Sequence, residues 1–154
     1  MKLDLVIHGN SNHTGMGIHT YNLIKELSKS RTVAFVPIQP LQYQNIDEVI
    51  QKALDMRCHI TGKEPAIMNY HAEWMVKFCG HPRIGFAIFE TDKIPDLELA
   101  YYLTLDRILV PSKWAKDVLV KNLSRLNVVG QAEKQAWTYE IYVVPEGYDP
   151  EIFC

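Results

Sequence analysis

Leu3-Asp4-Leu5-Val6-Ile7, then Gly9-Asn10-Ser11-Asn12-His13-Thr14-Gly15-Met16-Gly17, then Ile18-His19-Thr20-Tyr21-Asn22-Leu23-Ile24-Lys25-Glu26-Leu27: an apolar run, a polar loop, and a stretch of helical period. The first segment reads as a buried strand. After the loop the period changes, with Ile18, Tyr21, Ile24 and Leu27 at helical spacing and Lys25, Glu26 and Lys29 on the other side. The same alternation runs through the chain. Further strands are expected at 32–36, 66–70, 83–89, 106–110 and 141–144. Helices are expected from about 45, around 72–78, over 96–103 and after Ser112. Asn45 is a candidate cap, with Glu48 three residues on and Ile46, Val49, Ile50, Ala53 and Leu54 as the buried stripe. Ser112 is read as the cap of a helix whose Trp114, Ala115, Val118, Leu119 and Asn122 share one face. Residues 126–138 read as irregular. The strands are short, mostly apolar and scarcely alternating, as parallel strands covered on both faces should be. The expected fold is therefore α/β: a Rossmann-like, doubly wound parallel sheet with helices on both faces. Ligands of such sheets bind outside the carboxyl ends of the strands.

The 154 residues suit one domain, able to bury roughly 70% of its unfolded surface. A net charge of −2 lacks the clustered basic footprint of a nucleic-acid binder, so no nucleic-acid partner is expected. Cys58, Cys79 and Cys154 have no C-x-x-C spacing and read as free thiols in a reducing compartment. No apolar run approaches the ~18 residues of a membrane span, and the start is too soon interrupted for a signal peptide. A cytoplasmic location is the expectation. The histidines His8, His13, His19, His59, His71 and His81 form no i,i+4 metal pair, so no metal site is expected.

Gly15-Met16-Gly17 stands where the loop enters the first helix. Glycines there let backbone N–H groups approach an anion, and the helix start adds partial positive charge. A dinucleotide is not expected. Thr20 replaces the third glycine of G-x-G-x-x-G, and the second strand leads into Phe35-Val36-Pro37-Ile38-Gln39 without an acid for a ribose. Two readings stand for Gly15 and Gly17: a phosphate or sugar contact, or merely the shape of the turn. The end of the chain, Val143-Val144-Pro145-Glu146-Gly147-Tyr148-Asp149-Pro150, reads as a last buried strand and a stiff corner, with Gly147 able to turn at positive φ.

Three segments together carry a family likeness. Gly15-Met16-Gly17-Ile18-His19-Thr20-Tyr21-Asn22-Leu23-Ile24 is similar to the first loop and helix of family 4 glycosyltransferases of GT-B type. Phe89-Glu90-Thr91-Asp92-Lys93-Ile94-Pro95, followed by Asp106-Arg107-Ile108-Leu109-Val110-Pro111-Ser112-Lys113-Trp114, resembles their stretch leading to a D-x-hydrophobic-x-V-P-S strand. Pro145-Glu146-Gly147-Tyr148-Asp149 looks like their interdomain linker. The resemblance implies transfer of a sugar from a nucleotide-sugar donor to an acceptor hydroxyl, usually with retention, with no cofactor and no bound metal. It also implies that residues 1–144 are the acceptor-side N-terminal domain and 145–154 the start of the linker. By the same resemblance most of the nucleotide site and its paired glutamates would belong to a second domain, so catalysis by residues 1–154 alone is not expected.

The residues singled out follow from those segments. His71, leaving the third strand, is the catalytic candidate, at the position where the family often has a cleft histidine; the alternative is a histidine satisfied locally by the next helix. Gly15, Met16 and Gly17 are candidates for the donor phosphate or a sugar. His13, with Asn12, and Glu90 and Thr91 are acceptor candidates, because carboxylates accept strongly from sugar hydroxyls. Glu90 and Asp92 could equally cap the helix near Pro95. His8 is read as packing, and His19 and His59 as helix-surface or boundary residues. Lys113, Lys116, Lys121 and Arg125 tint one helix basic, which suits either weak peripheral membrane contact or a solvated face. A half-enzyme exposes apolar surface where its other lobe, or a partner chain, would dock, so self-association is also expected. A non-catalytic carbohydrate- or protein-binding module is the alternative from a different class.

Overall fold

Apolar runs separated by helices cannot pair as hairpins, so each returns to the sheet in the same direction. The computed structural model describes residues 2–41, 46–126 and 140–147. Its strands are β1 (Leu5–Gly9), β2 (Val33–Pro37), β3 (Ala66–Asn69), β4 (Arg83–Phe86), β5 (Arg107–Val110) and β6 (Ile141–Val143). All neighbours pair in parallel, in the order β2-β1-β3-β4-β5-β6. The helices are α1 (Gly15–Leu27), α2 (Glu48–Asp55), α3 (Asp96–Tyr102) and α4 (Lys113–Leu123), with 3-10 turns at Met56–His59 and Ala72–Trp74. This is the expected α/β class, a Rossmann-like sheet. Its strand order reverses between β1 and β3, the crevice where such sheets take ligands.

Alternate residues of a strand face opposite ways, and the core divides accordingly. Ile7, Val33 and Phe35 pack under Ile24 of α1 and Ile50, Ala53 and Leu54 of α2. Val6, Met68, Ile108 and Val110 pack on the other face against Leu99 and Tyr102 of α3 and Ala115, Val118 and Leu119 of α4. Helices thus lie on both faces. The first face is less covered beyond β4, where Ile84 and Leu109 are half-buried and Tyr142 is exposed.

Side-chain caps start the longer helices. Thr14 accepts from Gly17 N, Asp47 from Ile50 N at 2.9 Å and Ser112 from Ala115 N at 3.1 Å, so Ser112 is the expected cap. Asp47 therefore caps α2; the candidate Asn45 lies outside the described residues. The Tyr21 hydroxyl donates to Asp47 at 2.5 Å, tying α1 to this cap. Two expected core residues are exposed. Ile18 and Trp114 are each 51% exposed, while α1 buries Gly17 and Thr20 beside the expected Ile24. The helix expected over 72–78 is only the 3-10 turn Ala72–Trp74, although Met75 and Phe78 still reach the core. Among the described residues, no helix is long and apolar enough to cross a membrane.

Candidate functional site

In a wholly parallel sheet every strand delivers its following loop to one rim. Because β1, β3 and β4 are neighbours, the loops bearing Gly15, Met16 and Gly17, then His71, then Glu90 and Thr91 stand side by side. Strand spacing makes this row about 10 Å across. No hydrogen bond or ring contact joins His71, Glu90 or Thr91 to one another among the described residues.

The first loop is braced from within. The Asn12 side-chain oxygen accepts from Thr14 N at 3.1 Å and from the Thr14 hydroxyl at 2.6 Å, and Thr14 in turn accepts from Gly17 N at 3.2 Å. Gly17 has no room for a side chain: a Cβ would lie within 2.6 Å of Asn12 N. The amide and Cα of Gly17 therefore serve the loop's own packing, as does Asn12. Gly15 faces open space, and the N–H groups of Gly15 and Met16 meet no acceptor among the described residues. These are the donors a helix start leaves for an anion. His13 is exposed beside them.

Beneath α1 lies a polar cluster that sequence reasoning missed. Gly9 and Asn69 are register partners at the point where strand order reverses. A Cβ on Gly9 would meet Thr20 Oγ1 at 2.7 Å and the Asn69 carbonyl at 3.1 Å, so its absence lets α1 approach the sheet closely. The fully buried Asn69 donates from Nδ2 to Thr20 Oγ1 at 2.7 Å, and the Thr20 hydroxyl donates to the Met16 carbonyl at 2.9 Å. Asn69 Oδ1 lies 3.2 Å from His19 Nδ1. His19 also meets Phe86 edge-on, with centroids 4.6 Å apart. Half-buried, it is the boundary residue of the two readings, not the helix-surface one. Next to this cluster Asn10 is 3% exposed, and its Oδ1 has no hydrogen-bond partner among the described residues.

His71 is exposed and opens the 3-10 turn without capping it. It lies against Tyr70 at 4.5 Å between centroids, and Tyr70 against Trp74 at 6.1 Å, with the Lys77 ammonium 4.4 Å over the Trp74 ring. Gln39 Nε2, past the end of β2, donates to the Tyr70 hydroxyl at 3.1 Å. The aromatic residues of Asn69-Tyr70-His71-Ala72-Glu73-Trp74 were the sequence signal for this half-exposed platform.

Glu90 and Thr91 are exposed. Neither Glu90 nor Asp92 caps α3, whose N-cap position is Pro95 with no side-chain bond. The loop is instead held by the buried Asn122 of α4, which accepts from Ile94 N at 3.0 Å and donates to the Asp92 carbonyl at 2.9 Å. The basic residues of α4 are largely engaged. Lys113 pairs with Asp117 at 3.3 Å, Lys116 donates to the Ile141 carbonyl at 2.7 Å, and Arg125 reaches the Ile94 carbonyl and Asp96. Gly147 has no positive φ, so the turn expected there is not what the described chain adopts.

His8 faces the opposite way from His19 and packs on Phe78 at 5.4 Å. Burial lowers its pKa from 6.5 to about 4, opposed by a hydrogen bond with the Cys79 main chain. A cavity of about 510 Å³ lies at the other, amino-terminal rim, lined by Lys2, Asp4, His59, Lys63 and Glu64 among others. Glu64 is occupied there by the Thr61 hydroxyl and the Thr61 and Gly62 amides, which hold its carboxyl below the usual range. Ligands of parallel sheets approach from the carboxyl end, so that cavity is not taken as the site. Among the described residues, no three His, Cys, Asp or Glu side chains gather as a metal-ligand set.

Fold and rim define an α/β protein built on a Rossmann-like, six-stranded parallel sheet. The chain matches no protein-family model, and no curated protein or solved structure matches it.

Proposed function

We propose that this chain is the acceptor-side half of a GT-B-type glycosyltransferase, moving a sugar from a nucleotide-sugar donor to an acceptor hydroxyl. The observation that supports this reading is the row of three neighbouring loops at one rim. It holds backbone donors at the start of α1 that meet no acceptor among the described residues, an exposed imidazole at His71, and the carboxylate and hydroxyl of Glu90 and Thr91. Gly15 and Met16 offer N–H groups to a phosphate or sugar oxygen. His71 would hydrogen-bond at the reacting centre, with the Tyr70–Trp74 platform beside it for a sugar ring. Glu90, Thr91 and His13 would meet acceptor hydroxyls.

The reading calls for a second lobe, from a longer polypeptide or a partner chain, to hold the nucleotide. Exposed Ile18, Trp114, Val143 and Val144 stand in the first turns or strand end along the same rim, suited to such docking. The test is a donor-hydrolysis screen with nucleotide sugars, on this chain and on any longer polypeptide containing it. Turnover is expected only with the donor lobe present, and His71→Ala should lower kcat roughly a hundredfold. Tight binding of a nucleoside diphosphate to this chain alone would contradict the assignment. The second reading, a non-catalytic carbohydrate- or protein-binding module, draws on the same exposed apolar residues. Glycoside binding without donor turnover in any form would favour it.

A further inference from the structure

The hydrogen-bond chain under α1 settles which nitrogen of His19 carries its proton. The Thr20 hydroxyl has one hydrogen and gives it to the Met16 carbonyl, so Thr20 Oγ1 must accept from Asn69. Asn69 therefore turns its amide nitrogen to Thr20 and its carbonyl oxygen to His19. His19 Nδ1 must then be the donor across the 3.2 Å contact. In the neutral ring the lone pair is left on Nε2, which has no hydrogen-bond partner among the described residues. The ring cannot turn freely, because Phe86 stands edge-on at 4.6 Å. His19 is half-buried in the first turns of α1, at the border between the part of the face that α1 covers and the more open part beyond β4.

An imidazole fixed in one tautomer and one orientation, with its remaining lone pair unused at a strand-order switch point, is a directed acceptor. We infer that His19 is a ligand-binding residue of the rim, its Nε2 accepting a hydrogen bond from a hydroxyl of a polyol ligand. Asn69 and Thr20 are the positioning residues that keep the lone pair there. This goes beyond the reading built on His71, since it concerns any hydroxyl-bearing ligand and needs no second lobe.

Long-range proton–nitrogen NMR of the imidazole rings, on the full chain at neutral pH, tests it. The expected spectrum has His19 protonated on Nδ1 with a bare Nε2. Titration with a panel of methyl glycopyranosides, glycerol and inositol is expected to shift the His19 Nε2 resonance for at least one of them. His19→Phe, which keeps an aromatic ring beside Phe86, should weaken that ligand roughly tenfold, as loss of one hydrogen bond implies. Thr20→Val leaves His19 in place but frees the Asn69 amide to flip. It should convert His19 to the Nε2–H form and weaken the same ligand, a change that a purely structural role would not produce. A wild-type ring protonated on Nε2, or a His19 resonance silent across the whole panel, overturns the inference. A shifted His19 without donor turnover in any form leaves it standing while the glycosyltransferase reading fails.

Discussion

Two histidines flank the carboxyl end of the central strands, one on each face of the sheet, and they are held in opposite ways. His8 is pressed against Phe78, where burial takes away its capacity for charge. His19 is held by one directed bond to Asn69 and keeps a nitrogen without a partner among the described residues. The first is insulated by apolar neighbours, the second aimed by polar ones. Burial alone keeps an imidazole neutral, whereas a satisfied polar network also fixes the direction of a half-buried one.

The largest effect should come from breaking the close approach that builds the His19 side. Gly9→Val drives a branched side chain into Thr20 and the Asn69 carbonyl, and is expected to cost about 3 kcal/mol in urea denaturation. If that variant were as stable as the parent, the cluster could not be the rigid support described. The His8 side is sharpened by pH. Its folded pKa lies below the unfolded value of 6.5, so the unfolded chain binds the proton first as pH falls. Stability should be full above about pH 6.5 and decline toward pH 4. The loss attributable to this ring, allowing for its partial exposure, is on the order of 2 kcal/mol. His8→Phe should remove that portion, read as the difference between variant and parent denaturation midpoints at pH 5 and pH 7. The smallest effect compares two glycines of one helix. Gly15→Ala meets open space in a helical position and should stabilise by about 0.5 kcal/mol, whereas Gly17→Ala strikes Asn12 and should destabilise. Equal midpoints for the two would contradict the braced loop.

The fold class was legible because each strand is an apolar run bounded by a change of period. Ser112 was legible because a cap followed by an apolar face is a local pattern. The cluster beneath α1 was not. Its partners are 49 and 50 positions apart, and no periodicity links Asn69 to Thr20 or His19. In its first turns α1 also defeats a rule that seeks large apolar residues, although Tyr21, Ile24 and Leu27 face the core as expected. The helix lies so near β1 that Gly17 and Thr20 fill the contact and Ile18 turns outward. Trp114 was misjudged for a related reason: at the second position of α4 it lies above the core layer, beside Phe89. The row of loops bearing Gly15, His71 and Glu90 was readable as sequence order alone; that β1, β3 and β4 are adjacent comes from the strand order.

Asn122 has a consequence for how this rim can vary among descendants of the chain. By gripping both the Asp92 carbonyl and the Ile94 amide, it welds the far half of that loop to a helix two elements away. Insertions and deletions should therefore be absorbed at the exposed Glu90 and Thr91, between the core-packed Ala87 and Phe89 and the weld. Glu90 and Thr91 lie inside that permissive window, so the recognition chemistry of the rim can diversify while the scaffold below it stays unchanged.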